Sequence, residues 1–275
     1  MGLNRLFVAN KPSGIGSNKF LNTLKYKYND KKAGFSGTLD PFAKGVLLIG
    51  FGSYTKLFRF LNKTPKVYRA TLWLGAKSDS LDSEMIESVD ILDSISEVEV
   101  VNAVKSLEGE LEYEPPIFSA KRINGKRAYD LARAGIAFEL NKINSRIYET
   151  KLIHYCHPFV TFEATVSEGT YIRSLGRIIS NRLGVQNGSL SALERLNEGQ
   201  FFYDNEEALD IKKSLNIPKN EYLGDKENIT FGRVLSLGDL KTQDEGTYWL
   251  DNGENISIIT VKNGKVKYEL GRIWC

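Results

Sequence analysis

The sequence contains few of the residues that bind metals or form disulfides. It has two histidines and two cysteines in 275 residues, and Cys156 and Cys275 are too few for a disulfide framework. His154, Cys156 and His157 lie close together on a predicted strand, where neighbouring side chains point to opposite faces. A closed tetrahedral site would lack ligands, so we expect no bound metal.

Long apolar segments and common nucleotide-binding motifs are also absent. No apolar run approaches the roughly 18 residues that cross a bilayer, and residues 1–10 do not have the layout of a signal peptide. There is no Gly-x-Gly-x-x-Gly fingerprint, P-loop or Gly-x-Ser-x-Gly elbow, and two histidines disfavour a Ser–His hydrolase. With 41% hydrophobic and 26% charged residues, we expect a globular cytoplasmic protein without a membrane-spanning segment.

Acidic residues are scarce in the first 70 positions, where Asp30 and Asp40 stand against 13 Lys and Arg residues. Residues 78–112 are the opposite, with 11 acidic residues and one base, Lys105. Charged runs commonly do no more than solvate a surface, but two basic blocks around an acidic one predict a face that binds a polyanion. The second basic block consists of Lys121, Arg122, Lys126, Arg127 and Arg133.

Asp40 lies in the segment Gly37-Thr38-Leu39-Asp40-Pro41. Pro41 disfavours a helical conformation at Asp40, and Gly37 allows another backbone or a ligand to approach closely. Because nearby cations favour the charged form of a carboxyl, we expect Asp40 to stay ionised. The pattern is that of a presented carboxylate among phosphate-binding cations, although an ordinary Asp-Pro turn is compatible with it.

Hydrophobic periodicity predicts a mixed α+β protein with a small β-rich C-terminal module. Ser17 and Thr170 are the predicted N-caps of two helices, and Asn263-Gly264 between two apolar runs predicts a hairpin. The polar segment 217–228 is the predicted linker. Strands are predicted at 6–9, 45–51, 67–74, 146–154 and 159–166.

Arg173 falls in the first turn of the helix after Thr170, where the helix dipole disfavours a cation by up to about 1 kcal/mol. An anionic partner would relieve this, and Arg is suited to bidentate pairing with Asp40 or a phosphate. A solvent-facing Arg173 is the alternative. Tyr68 and Tyr171 are near these elements, and tyrosines stack on nucleic acid bases, though most are packing residues.

Five segments of the chain form a set of motifs. They are Lys11-Pro-Ser-Gly-Ile-Gly-Ser17, residues 34–47 with the Asp40 segment, Lys66-Val-Tyr-Arg-Ala70, Gly169-Thr-Tyr-Ile-Arg173 and Leu190-Ser-Ala-Leu193. In this order they resemble the motifs of the TruB-type tRNA pseudouridine synthases, which make the pseudouridine at tRNA position 55 in the TΨC loop. The resemblance covers the whole chain and is tightest over residues 8–75 and 165–196.

The resemblance implies a site. Asp40 would be the nucleophile that attacks uridine covalently while the base detaches, rotates and rejoins through C5. Arg173 would pair with that carboxylate, and Tyr68 would stack on the flipped uracil and could shuttle a proton. Tyr171 and Leu193 would wall the base pocket.

The resemblance also implies the architecture and the partner. It implies a pseudouridine synthase fold over residues 1–220, a mixed and mainly antiparallel sheet flanked by helices, with a short PUA-like module at 228–275. Lys11 would contact the substrate, and the loop 119–135, with the second basic block, would close over the RNA. The substrate would be the T-arm stem-loop of tRNA. The protein would act as a monomer and would need no cofactor, no membrane and no obligate protein partner. No candidate catalytic residue follows residue 228, so deletion there is expected to weaken binding and leave activity.

One position departs from the family pattern. Phe35 stands where the family usually has His, a residue thought to fill the space that the flipped base leaves. Phe35 keeps a stacking face but loses hydrogen bonding, so a wedge role stays open beside a core role.

Two other classes compete with this function. A non-catalytic RNA-binding or tRNA-folding protein would use the same basic face, but it would not need Asp40 beside phosphate-binding residues. A glycosidase would typically need a second catalytic carboxylate about 5–5.5 Å from the first, and the sequence near Asp40 offers none.

RNA binding through the basic blocks should weaken steeply with salt. Each phosphate contact contributes about −0.7 to −0.9 to the slope of log affinity against log salt concentration, so several contacts predict a slope of several units. Titrations of RNA between low and moderate salt measure this slope. An affinity that does not change would contradict the polyanion prediction.

Overall fold

The computed structural model describes residues 4–119, 121–123 and 125–275. Residues 1–3, and Ala120 and Asn124 of the predicted RNA-contacting loop 119–135, lie outside the described residues. The strands are β1 (Arg5–Lys11), β2 (Ala33–Ser36), β3 (Lys44–Phe51), β4 (Lys66–Leu74), β5 (Ala76–Lys77), β6 (Ser88–Val89), β7 (Gly109–Tyr113), β8 (Arg122–Ile123), β9 (Lys126–Arg127), β10 (Ile143–Cys156), β11 (Phe159–Val166), β12 (Gly188–Glu198), β13 (Gly246–Asp251), β14 (Asn255–Lys262) and β15 (Lys265–Trp274).

The helices lie between these strands along the chain. Short 3-10 turns occur at Gly52–Lys56, Phe58–Phe60, Ser83–Met85 and Leu237–Asp239. The α-helices are α1 (Ser17–Lys27), α2 (Glu97–Lys105), α3 (Ala128–Arg133), α4 (Ile172–Arg182), α5 (Ile211–Ser214) and α6 (Glu227–Phe231). In the described part of the chain, no helix has the length and apolar character needed to cross a membrane.

Most strands form one eight-stranded sheet in the order β1-β3-β12-β4-β11-β10-β7, and β2 also pairs with β3. The paired strands are antiparallel except β3 and β12, which run parallel. The predicted α+β class, with a mixed and mainly antiparallel sheet, is confirmed.

Strand β4 lies in the interior of this sheet, and its apolar side chains explain why helices pack on one face of the sheet. Successive side chains of a strand point to opposite faces, and Tyr68, Ala70, Leu72 and Leu74 are all buried on the same face. They pack in one hydrophobic core with the buried apolar residues of α2 and α4. The two helices thus lie against the sheet where the Tyr68 side chain projects.

Both predicted N-caps are wrong by one residue, because each hydroxyl has another partner. Thr170 Oγ1 donates to the Ser167 carbonyl at 3.0 Å, and Tyr171 takes the N-cap position of α4. Ser17 is the first residue of α1 and Gly16 is the N-cap.

The C-terminal strands β13, β14 and β15 form a separate antiparallel sheet, and β14 and β15 form the predicted hairpin. This sheet shares a hydrophobic core with β1, β3 and the turns after β3. Deletion after residue 228 would expose that core, so we expect it to cost stability as well as binding, contrary to the expectation from sequence. The buried members are Leu6, Val8, Val46, Leu48, Tyr54, Leu57, Leu61, Phe201, Ile211, Trp249, Ile256, Ile258 and Ile273.

The segment 217–228, predicted as a linker, is bound to the C-terminal sheet. Asn220 N–H donates to the Trp249 carbonyl at 2.9 Å, and Trp249 N–H donates to the Pro218 carbonyl at 3.0 Å. Tyr222 is buried. The polar composition of the segment indicated a free connection, but its backbone groups pair with an edge of the sheet instead.

Ile258→Ala should destabilise the whole protein, because Ile258 is fully buried in the shared core. Truncating a buried Ile costs about 2–5 kcal/mol, and we expect one cooperative thermal transition at a lower temperature. The control Val234→Ala changes a side chain that is 92% exposed and should alter stability by less than about 0.5 kcal/mol. A separate early transition that leaves the main one in place would contradict the shared core.

Candidate active site

The loop that carries Asp40 joins β2 to β3 above a buried ion cluster. Gly37 begins the loop with a φ of 64°, and a Cβ there would lie 3.2 Å from both Arg195 Nη1 and Lys66 Nζ. Arg195 Nη2 donates to the Gly37 carbonyl at 3.0 Å. Glu198, which is fully buried, lies 3.3 Å from Lys66 Nζ and 3.5 Å from Arg195 Nη2. Glycine therefore suits this position, because other residues rarely adopt this φ and because the missing side chain leaves room for two nearby cations.

Residues of the first motif hold the backbone on both sides of Asp40. Ser17 Oγ donates to the Leu39 carbonyl at 2.8 Å and accepts from the Leu39 N–H at 2.9 Å. The Pro41 carbonyl accepts from the Gly14 N–H at 2.8 Å. These bonds fix the peptide units next to Asp40, so the direction of its side chain is set by the first motif.

Lys11 belongs to the same clamp. Its ammonium donates to the carbonyls of Pro12 at 2.9 Å, Ile15 at 2.6 Å and Pro41 at 3.4 Å, and the residue has no exposed surface. Burial lowers the pKa of Lys11 to about 8. The predicted contact of Lys11 with substrate is not supported, because all its donors face backbone carbonyls.

Arg173 lies at the centre of the site and is 4% exposed. Its Nε lies 3.0 Å from Asp40 Oδ2. Nη1 donates to the Ser80 carbonyl at 2.7 Å and to Asp82 Oδ2 at 3.3 Å, and Nη2 donates to the Phe118 carbonyl at 2.9 Å. The predicted pair with Asp40 is present, but through one nitrogen rather than a bidentate fork, because the other donors hold different groups.

Asp82 is a partner of Arg173 that the sequence did not single out. It is buried, its Oδ1 accepts from Ser80 Oγ at 2.6 Å and from the Glu84 N–H at 3.1 Å, and its Oδ2 faces Arg173. Both oxygens are engaged, so Asp82 is a structural anchor of Arg173 and not a second free acid or base. Nothing in the sequence separates Asp82 from the ten other acidic residues between 78 and 112.

Burial and the nearby cations act in opposite directions on Asp40. Burial raises the pKa of Asp40 above its ordinary value, Arg173 opposes that shift, Asp82 adds to it, and Lys11 opposes it. Burial thus sets the direction of the pKa shift, and the ionised state of Asp40 stays a prediction. The side chain is still 36% exposed, so a substrate can reach the carboxylate.

Asp40 and Arg173 open into a cavity of about 290 Å³ that Tyr68, Tyr171 and Leu193 also line. Tyr68 comes from β4 and Leu193 from the neighbouring β12, while Tyr171 precedes α4. The structure thus brings together five of the predicted site residues from distant parts of the chain. A volume near 300 Å³ is at the lower end for ligand pockets and suits a small planar group.

A second cavity of about 400 Å³ lies on the other side of the Asp40–Arg173 pair, and Phe35 is part of its wall. Phe35 is partly buried and packs against the core beside β2. It therefore has a core contact and a cavity surface at once, and neither of its two predicted roles is excluded by its position.

The second basic block contributes two arginines to this second cavity, which we call the outer cavity. Arg127 and Arg133 line it together with Tyr129, and their guanidinium carbons lie 5.7 and 5.6 Å from the Tyr129 ring centroid. Tyr129 was not recognised in the sequence, where it is one of 13 tyrosines. A tyrosine with two arginines close to its ring combines an aromatic surface with positive charge.

The other three cations of the block lie away from the cavity wall. Lys121 Nζ donates to the Asn141 carbonyl at 3.2 Å and Arg122 Nη1 to the Gly125 carbonyl at 3.3 Å, while Lys126 is exposed. Among the residues that the structure describes, no group of three or more His, Cys, Asp or Glu side chains is placed to hold a metal ion.

Comparison with known proteins identifies the family. The family model for the TruB family pseudouridylate synthase (N terminal domain) matches residues 25–172. The chain is 73% identical to tRNA pseudouridine synthase B of Sulfurimonas denitrificans over 273 residues, covering 99% of this chain and 100% of that protein. A Sulfurovum protein of the same name is 52% identical over 98% of both chains. The chain belongs to the TruB family.

Membership in the TruB family confirms the predicted enzyme class, a pseudouridine synthase, which is an isomerase. Solved structures confirm the fold. A chain of a Cbf5-Nop10-Gar1 complex matches with a TM-score of 0.69 at 19% identity, over 98% of this chain and 85% of that chain. A chain of an H/ACA RNP bound to a substrate RNA containing 2′-deoxyuridine matches with a TM-score of 0.67 over the same shares.

The carboxyl of Asp40 should titrate above about 3.9, the value of an ordinary Asp. Because the folded protein holds this proton more tightly than the unfolded chain, ionisation of Asp40 opposes folding as the pH rises through its folded-state pKa. Asp82→Asn removes a negative neighbour and should lower the Asp40 pKa. The pH dependence of the ¹³C chemical shift of the Asp40 carboxyl group measures the pKa in the wild type and in the variant. A wild-type titration midpoint at or below about 3.9 would contradict the burial argument.

Proposed function

We propose that this TruB-family enzyme converts uridine to pseudouridine at position 55 in the T loop of tRNA, with Asp40 as the nucleophile. The observation that carries the proposal is the Asp40 carboxylate, held 3.0 Å from Arg173 Nε at one end of a cavity walled by Tyr68, Tyr171 and Leu193. The names of its relatives, tRNA pseudouridine synthase B, support tRNA as the substrate.

The reaction is an isomerisation and balances without a co-reactant. The bond between N1 and C1′ of uridine breaks, the uracil rotates, and a bond between C5 and C1′ forms. C5 loses a proton and N1 takes one up, so substrate and product have the same composition. Asp40 forms a transient covalent bond to the uridine and is released unchanged at the end.

Each wall of the cavity has a role in this scheme. Arg173 orients the Asp40 carboxylate and offsets its charge. Tyr68 stacks on the uracil, and its hydroxyl is the candidate to shuttle the proton. Tyr171 and Leu193 confine the free base so that it rotates within the cavity. Lys11 acts indirectly, because its ammonium holds the loop and not the substrate.

RNA would be recognised by the outer cavity and the basic block around it. A base inside a folded loop must be extruded at a cost of a few kcal/mol, and Phe35 would fill the space that the base leaves. Arg127, Tyr129 and Arg133 would receive neighbouring nucleotides. Lys121, Arg122 and Lys126 would contact phosphates.

The chain would consist of a catalytic part and a smaller C-terminal module. Residues 1–220 would be the catalytic part, and 228–275 a PUA-like module that adds to RNA binding. We propose a monomer that needs no obligate protein partner and acts in the cytoplasm.

A T-arm stem-loop alone should be a substrate, because RNA sequence is usually read from splayed bases of single-stranded loops. Purified protein should convert the uridine at the position equivalent to 55, measured by chemical mapping of pseudouridine. Changing that uridine to cytidine should end the reaction without preventing binding. Conversion of another RNA but not of this stem-loop would contradict the substrate while leaving the enzyme class intact.

Asp40→Asn should abolish turnover, because the amide keeps the shape of the side chain but is not a nucleophile. Binding of the stem-loop should survive and could tighten, since one negative charge is removed. Single-turnover rates and binding titrations on the same RNA separate the two effects. A rate within tenfold of wild type, about 1.4 kcal/mol in barrier, would contradict the role of Asp40.

A further inference from the structure

Tyr113 lies at the end of β7, at the edge of the main sheet, and is only 6% exposed. Its hydroxyl accepts from the Tyr171 N–H at 3.0 Å. The same hydroxyl lies 2.9 Å from Ser145 Oγ, and Ser145 is buried on the neighbouring β10. A buried phenol thus connects two strands at the sheet edge to the backbone of a residue that walls the base pocket.

The contact matters because α4 has no capping side chain of its own. The first N–H groups of a helix have no partner within the helix, and Tyr171 occupies the N-cap position without a side-chain cap bond. Burial raises the pKa of Tyr113, so the phenol keeps its proton at neutral pH. It can therefore accept from Tyr171 and donate to Ser145 at the same time.

The segment after Tyr113 makes two more contacts with the start of α4. The Glu114 carbonyl accepts from Ser174 Oγ at 3.1 Å, and the Phe118 carbonyl accepts from Arg173 Nη2 at 2.9 Å. Residues 113–118 therefore hold three of the four residues 171–174. Within residues 113–118 only Tyr113 makes its contact through a side chain, whereas Glu114 and Phe118 use backbone carbonyls. A substitution in this segment can therefore remove the Tyr113 contact alone.

We propose that Tyr113 is a positioning residue, whose phenol fixes the Tyr171 backbone and with it the base-pocket wall and the start of the helix that carries Arg173. The proposal rests on the proposed function for the roles of Tyr171 and Arg173. Tyr113 lies outside both cavities of the site, so its effect reaches the reaction only through these neighbours.

The test compares Tyr113→Phe with Tyr155→Phe, both of which remove one phenol oxygen. Tyr155 donates to the Ile95 carbonyl at 2.9 Å, is partly buried, and contributes nothing to the site. Single-turnover conversion of the T-arm stem-loop should fall about tenfold in Tyr113→Phe, with the dissociation constant of the RNA unchanged. Tyr155→Phe should stay within twofold of wild type. If the wild-type protein does not convert the stem-loop, the proposed function is rejected. The proposal for Tyr113 is tested separately, by the difference between Tyr113→Phe and Tyr155→Phe.

Hydrogen exchange gives a readout that does not depend on activity. In protein labelled with ¹⁵N-tyrosine, the Tyr171 amide should exchange faster in Tyr113→Phe and at the wild-type rate in Tyr155→Phe. Ser145→Ala removes the second partner of the phenol and should give a smaller fall in rate, again without a change in RNA affinity. Unchanged Tyr171 exchange, wild-type rates in Tyr113→Phe and Ser145→Ala, or an equal loss in Tyr155→Phe would each overturn the proposal.

Discussion

The ion pair between Arg173 and Asp40 is the interaction on which the rest of the site depends. A buried guanidinium is costly unless its donors are satisfied, and the loops between the strands supply Asp40, Asp82 and the carbonyls of Ser80 and Phe118. Because Asp82 and the two carbonyls hold Arg173 in one orientation, the nitrogen that faces Asp40 is placed before any substrate arrives. The Asp40 carboxylate is thereby held in one orientation while part of its surface stays exposed.

The loop that carries Asp40 is held from below and from both ends. The buried ion cluster fixes Gly37, and hydrogen bonds from Ser17, Gly14 and Lys11 fix Leu39 and Pro41, so few degrees of freedom remain between them. Preorganised groups cost no rearrangement when the reaction occurs. Burial in the same arrangement raises the pKa of Asp40, so ionisation of this carboxyl opposes folding.

The sequence predicted those features of the site that are visible in a short segment of the chain. Asp40 was visible as a rare acid in a basic block, and Arg173 as a cation at a helix start. The bonds from Lys11 to three backbone carbonyls were not foreseen, because such contacts form no recognisable pattern in a sequence. Asp82 was missed because it is one of many acids in 78–112, and only the fold brings it to Arg173. The burial of Asp40 was not foreseen for a related reason, since charge can be counted in a sequence and burial cannot.

The most direct test of the account is a map of pseudouridine in tRNA from cells that lack this protein. The account predicts that pseudouridine disappears from position 55 of the T loop, returns when the wild-type chain is restored, and does not return with Asp40→Asn expressed at an equal level. Pseudouridine that persists at position 55 in the deficient cells, or that returns with Asp40→Asn, would contradict it.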